Sequence, residues 1–366
     1  SRSLAIRKSL WQTAGGFPEW LSDAGEDTMF DFQAKGQIGK WAFVPQAKVY
    51  WRAPQSLGQL LKKDYRYALG DGETGIHASL YWYKTVEAAR SLFGFSLIWL
   101  AFVLVGLGWN WYASIGLLAV IFATQVAIRI RRSLPQMVYL GGWFFLYPWI
   151  LDLVGWAQVS GFARGVINRP KVLERQIRYY QRQLNQILEQ FPTRKGIIVY
   201  PPTHDWGFMF QRPQQMARAL AREGYLYIYC TANERTDAVY GFRLIEPGLY
   251  LTQVPLGTFK VLDCPIVYIG SAWNRAYLSN FNQPSIIYDH YDDLEVSGAR
   301  LEDHKALLSL AKVLMVTNQT LLERVLPERH DAILVPNGAD YDFIQRSRPS
   351  PNNLPEDWRS IGFGGR

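Results

Sequence analysis

LFGFSLIWLAFVLVGLGWNWYASIGLLAVIFATQVAI, residues 92–128, runs for 37 residues without a charge. A spanning helix needs about 20 apolar residues, so the stretch is too long for one span and fits two slightly short ones. The break falls at Gly108-Trp109-Asn110-Trp111-Tyr112. Gly and Asn make a turn there, and the aromatic rings suit the headgroup level of a bilayer. The reading is a helical hairpin that enters a membrane and returns, with water-soluble sequence on both sides of it.

The whole chain has 366 residues and a formal net charge of +8. Its cations gather beside the apolar segments, at Lys84 and Arg90, at Arg129, Arg131 and Arg132, and at Arg164, Arg169 and Lys171. Membrane topology and anionic headgroups explain that placement better than nucleic acid does, since no compact Lys/Arg block is present. Cations at both ends of the hairpin put those ends on one side, the cytoplasm. The next apolar run, 137–163, contains Gly141-Gly142, Pro148 and the charged Asp152. A charge near mid-membrane costs at least a few kcal/mol, so this run reads as an interfacial or re-entrant helical pair bent near Pro148; a plain third span is the alternative. Residues 170–191 begin with Pro at a helix-start position and read as an amphipathic connecting helix. Cys230 and Cys264 lie far apart, outside any metal-ligand spacing, and read as reduced thiols of a cytosolic core. The opening Ser1-Arg2-Ser3-Leu4-Ala5-Ile6 already has the pattern of folded-domain sequence, which suggests an internal fragment.

Residues 1–54 read as a short apolar strand, a helix start, Gly15-Gly16-Phe17, a loop, and Gly25-Glu26-Asp27-Thr28 opening a helix, with a further strand over 41–44. Taken alone, Glu26-Asp27 reads as capping, since acidic side chains are favoured at a helix N-terminus. The ordered set apolar-R-x-x-L-x-x-x-G-G-F, G-E-D-T, K-G, F-V-P and A-x-V-Y resembles the second half of glycosyltransferase family 2 enzymes. The resemblance implies a GT-A-type domain in which Asp27 is the catalytic base. Its carboxylate would take the proton of an acceptor hydroxyl as that hydroxyl attacks the anomeric carbon, and Glu26 would help place the acceptor. It also implies a nucleotide-sugar donor and a divalent cation, Mg or Mn, with the cation's ligands in a nucleotide-binding half expected before Ser1. Residues 62–72, KKDYRYALGDG, resemble the basic-aromatic segment ahead of the membrane helices in membrane-bound members, where related synthases carry Q-x-x-R-W. Arg66 and Tyr67 match the Arg-aromatic pair and are assigned to acceptor binding; Lys63 stands where those synthases have Gln. A basic amphipathic helix lying on the membrane is the alternative.

From Lys195 the pattern changes. Buried-strand runs fall at 196–200, 225–230, 266–269, 285–288, 313–316 and 332–335, with a helical pattern over 211–223. Strands alternating with helices argue a parallel, doubly wound sheet, whose ligands bind beyond the carboxyl ends of the strands. His204-Asp205-Trp206-Gly207, Asp289 with Asp292-Asp293, Thr317-Asn318 and Asn337-Gly338 all fall at such ends, although each alone reads as turn chemistry or a cap. The elements DWGFMFQRPQQMA at 205–217, IIYDHYDDL at 286–294, AKVLMVTN at 311–318 and LVPNGAD at 334–340 together resemble the N-terminal lobe of GT-B glycosyltransferases similar to family 4. The resemblance implies an acceptor lobe with His204, Asp205 and Asp289 at the acceptor. Gly207 would let backbone approach the donor phosphates, and Arg212 would meet phosphate or carboxylate.

The expected fold is therefore α/β with a membrane-embedded helical segment. A partial GT-A domain spans 1–80, the hairpin and interfacial helices 81–169, a linker helix 170–194, a Rossmann-like GT-B N-terminal lobe 195–345, and the start of a donor lobe 346–366. The expected function is that of a membrane-attached, bifunctional glycosyltransferase of the inner membrane, multi-pass, with its soluble domains on the cytoplasmic face. Its partners would be nucleotide sugar, a growing surface or lipid-linked glycan, and membrane lipids. The rival reading is a non-catalytic glycan-binding scaffold built from degenerate transferase halves. A transporter would need more spans and more polar residues within the membrane.

Overall fold

The structure, a computed structural model, describes residues 5–22, 24–37, 42, 44–50, 52–108, 110–133, 146–234 and 236–338. The chain divides into two compact units. The first comprises Ser1–Gln190 with Ala238–Arg243 and Gln253–Phe259; the second comprises Phe191–Asp237, Leu244–Thr252 and Lys260–Arg366.

The first unit is helical. Helix α1, Lys8–Thr13, ends at Gly15 and Gly16, both at positive φ. Helix α2, Glu26–Gln37, begins with two acidic residues and packs Phe30 and Ala34 against Ala14 in a small core. Helix α3, Leu57–Thr74, is capped by the Ser56 side chain, which accepts from the Gln59 amide at 3.3 Å, and stops at the left-handed Gly75. Helices α4, Ala78–Gly106, and α5, Trp111–Ser133, form the hairpin and pack on each other, with the turn where the sequence places it. Gly94 leaves the space that the Gln125 amide occupies, since a Cβ there would stand 2.2 Å from its Nε2. Both helices are long and apolar enough to cross a membrane by length and composition. Many of their large side chains are turned outward; Trp99 is 71% exposed and Val120 64%.

Helix α6, Tyr147–Gln190, corrects the reading of 137–191 as separate pieces. It is one helix of 44 residues, with Pro148 in its first turn and Pro170 inside it. Residues 137–145 lie outside the described ones. An internal proline costs about 3 kcal/mol, but here the helix is held by α3 over the stretch that leads up to it. Gly72 would place a Cβ 2.3 Å from Phe162 O, Gly161 one 2.4 Å from Tyr65 O, and Gly165 one 2.2 Å from Leu69 O. Glycines at these crossing points bring the two backbones into contact, and Arg169 donates from Nε to Gly72 O at 2.8 Å just before the proline. Asp152, the charge that weighed against a span, accepts from Ser91 Oγ at 3.2 Å. Two strands expected in this unit are not seen. Residues 5–7, 42 and 44 have no regular structure, and 1–4, 41 and 43 lie outside the described residues.

The second unit is built on an eight-stranded sheet of order β3-β4-β2-β1-β5-β6-β7-β8. The strands are β1 Ile197–Tyr200, β2 Leu226–Cys230, β3 Phe242–Glu246, β4 Leu249–Thr252, β5 Ile266–Ile269, β6 Ser285–His290, β7 Val313–Val316 and β8 Ile333–Leu334. All six expected strands form, and the pairings from β4 through β8 are parallel. Strands β3 and β4, joined by Pro247-Gly248, were not foreseen. Helices α7 Arg212–Arg222, α8 Leu294–Ser297, α9 Leu301–Leu310 and α10 Gln319–Val325 complete the unit, with a 3-10 helix at Ala272–Asn280. Every residue of β2 is buried, as a central parallel strand requires. Cys230 is buried in it, whereas Cys264 is exposed, against its reading as a core thiol. Successive strands move outward from β1 on one side and from β5 on the other, so the switch point lies between β1 and β5. Such a crevice is where open α/β sheets bind ligands. The expected donor lobe at 346–366 lies outside the described residues.

Candidate functional sites

In the first unit the site is the turn that leads into α2. Ala24 and Gly25 are buried against α3 at Gly70, where a Cβ would stand 2.1 Å from Ala24 O. Gly25 has φ +100°, which favours glycine, and its carbonyl accepts the Met29 amide at 2.9 Å. Glu73, one turn along α3 and buried, accepts the Ser22 amide at 2.9 Å and the Ser22 hydroxyl as well. Asn168 Nδ2 donates to Glu73 Oε1 at 3.2 Å, and Arg175 Nη2 donates to Ser22 Oγ at 2.8 Å. The turn is thus held at both ends, and directly beyond it Glu26 and Asp27 stand exposed. Asp27 Oδ1 accepts the Thr28 amide at 2.8 Å, a capping contact that coexists with exposure of the carboxylate. Arg66 and Tyr67 are exposed on α3, with Lys63 Nζ 5.6 Å from the centre of the Tyr67 ring. Glu73 and Gly70 were not singled out in the sequence; the Gly70-Asp71-Gly72-Glu73 spacing in an otherwise helical stretch was the available signal. Among the described residues no group of three or more His, Cys, Asp or Glu side chains is placed to hold a metal ion.

In the second unit a pocket of about 320 Å³ opens at the switch point. Thr203 and His204 reach it from the end of β1, Gly270, Ser271 and Trp273 from the end of β5, and Tyr291 and Asp292 from the end of β6. Phe208 and Gln211 close the side nearest α7. Gly270 is needed because the Tyr291 ring lies on it; a Cβ would stand 2.6 Å from Tyr291 Cε1. Burial lowers the His204 imidazole below its ordinary pKa, against smaller opposing effects from Gln214, Asp205 and Asp237, so the ring is neutral near pH 7.

Of the other residues expected at this end, the structure gives most of them internal partners. Asp205 is buried and accepts the Glu234 amide at 2.9 Å and the Thr236 amide at 2.7 Å, so it holds the loop after β2. The Gly207 amide donates to Asp237 Oδ1 at 2.8 Å, and the Trp206 amide to Oδ2 at 2.6 Å. Arg212 forms a two-pronged pair with the fully buried Asp289, Nε to Oδ2 at 2.7 Å and Nη2 to Oδ1 at 2.9 Å. Its Nη1 donates to Val335 O at 2.9 Å, and the Tyr268 hydroxyl donates to Asp289 Oδ2. Burial, with Asp289 beside it, pushes the Tyr268 hydroxyl well above its ordinary range, so it remains a donor. His204 alone of the assigned residues lines the pocket. Ser271, Trp273 and Tyr291 were missed, since a serine and two aromatics after apolar strands carry no distinctive spacing.

Residues 2–131 match the family model described as glycosyl transferase family group 2. The matched segment covers both the Glu26-Asp27 turn and the helical hairpin, and it supports a glycosyltransferase family 2-like region with a glycosyl-transfer function. The mixed α/β architecture with its eight-stranded sheet, which lies outside the matched segment, fits a glycosyltransferase-like fold. No curated protein matches the chain. The family generally uses nucleotide-sugar donors and glycan acceptors, often with a divalent cation.

Proposed function

We propose that the protein is a membrane-attached glycosyltransferase in which Asp27 is the general base toward the acceptor hydroxyl. The observation that carries this reading is the exposed Asp27 carboxylate at a turn pinned to α3 by Gly70 and Glu73, within the region that matches the family. A base must be accessible to its substrate yet fixed in position, and the turn supplies both. Glu26 stands beside it to place the acceptor, and Arg66 and Tyr67 are accessible for the same task. The donor is a nucleotide sugar, used with a divalent cation, and the acceptor a surface or lipid-linked glycan. The hairpin α4–α5 anchors the protein in the inner membrane by an even number of crossings, which leaves both units on the cytoplasmic face, where nucleotide sugars are made. The exposed apolar side chains on both hairpin helices support the membrane attachment.

The second unit serves as an acceptor lobe of GT-B type, which makes the protein bifunctional. A non-catalytic, glycan-binding role for this unit has an observation in its favour: Asp205, Gly207, Arg212 and Asp289 are all engaged with the protein itself. The experiment for the first unit is Asp27→Asn in the full-length protein in membranes, followed by sugar incorporation from a panel of nucleotide sugars. Removal of a base typically costs 10²–10⁴-fold, with membrane attachment unchanged. Undiminished incorporation at every donor would refute the assignment.

A further inference from the structure

We infer that the pocket at the β1/β5 switch point is a binding subsite for a neutral pyranose ring, and that it excludes phosphate. The inference takes the sugar class from the glycosyl-transfer reading above; the rest comes from the pocket itself. Its lining is His204, Ser271, Trp273 and Tyr291 with Thr203, Gln211, Phe208 and Gly270, and the one charged member among the named lining residues is Asp292, an acid. Among the described lining residues a phosphate would meet an acid and no cation. The nearby guanidinium, Arg212, is committed to Asp289, and the Gly207 amide to Asp237. Both groups that the sequence offered to a diphosphate are therefore already neutralised from within.

Two lining atoms are left without partners. Ser271 is 7% exposed, and its hydroxyl is buried with no hydrogen bond. It stands at the N-cap of the 3-10 helix Ala272–Asn280, where a serine ordinarily caps, yet it makes no capping bond. His204 Nε2 is likewise buried without a partner. Buried polar atoms in folded proteins are nearly always satisfied, and an orphan is destabilising unless something else supplies the bond. Here a neutral imidazole and a serine hydroxyl line the same cavity, a set matched to sugar hydroxyls, which donate and accept. Thr203 Oγ1 is fixed in its place by the fully buried Asn274, whose Nδ2 donates to it at 2.7 Å. Trp273, 38% exposed, and Tyr291 add aromatic surface on which the C–H face of a pyranose can lie. A small, mostly preformed pocket with a few placed polar groups is the usual form of such a site.

The test is saturation-transfer NMR on the full chain in a detergent without a sugar headgroup, titrated with methyl gluco-, galacto- and mannopyranosides and, separately, with inorganic pyrophosphate. At least one glycoside is expected to receive saturation. Ser271→Ala and Trp273→Ala should each weaken that binding about tenfold, the size of one lost hydrogen bond or contact, with unchanged circular dichroism. Pyrophosphate should not compete. Absence of transfer to all three glycosides, binding unaltered by both substitutions, or displacement by pyrophosphate would each overturn the inference. None of these outcomes alters the result of Asp27→Asn, which lies in the other unit.

Discussion

Gly70→Ala is the sharpest probe of the turn that presents Asp27. The added methyl would stand 2.1 Å from Ala24 O, 2.6 Å from Ala24 C and 3.0 Å from the Gly25 amide nitrogen. Ordinary contact begins beyond about 3.4 Å, and the obstructing atoms are backbone, so the turn must retreat by roughly 1 Å. Overpacking of this kind costs about 1–3 kcal/mol. Alanine in place of glycine within a helix returns up to about 1 kcal/mol, leaving a net loss on the order of 1–2 kcal/mol. Displacement by about 1 Å of a group that must meet its substrate costs on the order of 10²-fold in rate. Gly58→Ala, on the same helix with nothing within 4 Å of its Cβ, is the matched control and should be neutral or slightly stabilising. The assay is hydrogen exchange at the Ser22 and Met29 amides, which are bonded to Glu73 and Gly25, together with sugar incorporation. Faster exchange at both amides in Gly70→Ala, with the control unchanged, is the expected outcome. Equal exchange in the two variants would refute the account of how the turn is held, whatever the activity.

Arg212→Met should destabilise the second unit by about 3–5 kcal/mol, because it leaves the Asp289 carboxylate buried without its counter-charge; urea unfolding followed by tryptophan fluorescence reads this, and a loss under 1 kcal/mol would contradict it. Acid should weaken the same unit. Burial, with the neighbouring His304, lowers the His290 imidazole to about 4, and burial lowers His304 as well. Unfolded histidines take up protons near 6.5, so stability is full above that pH and is lost as the pH falls toward 4, by up to about 3 kcal/mol for His290. Unfolding midpoints measured at pH 7, 5.5 and 4.5 should decline in that order, and His290→Phe should flatten the decline.

How much was legible in the sequence differs between the two units. In the second, uninterrupted apolar runs such as 226–230 and 313–316 mark strands buried on both faces, so six of the eight strands could be read directly. Strand β3 escaped because 242–246 carries Arg243 and Glu246 and buries none of its residues fully, without the strong apolar run of a central strand; β4 is only four residues long, although all four are buried. The residues at the strand ends were legible as polar groups in the right place, but not as partners of one another. His204 and Asp205 are neighbours in sequence, yet one lines a pocket and the other is buried beneath a loop.

Composition and periodicity determined the hairpin, the parallel sheet and the Glu26-Asp27 helix start, because each depends on forces acting within a few residues: apolar run length, strand patterning and the helix dipole. Only the tertiary structure decided the rest. Pro170 lies inside a 44-residue helix because glycines on α3 and α6 bring two backbones together. Arg212 and Asp289 neutralise each other across 77 positions of sequence. The pocket likewise gathers residues from the ends of three strands, and its unsatisfied Ser271 and His204 atoms exist only because burial removed the water that would otherwise have bonded them.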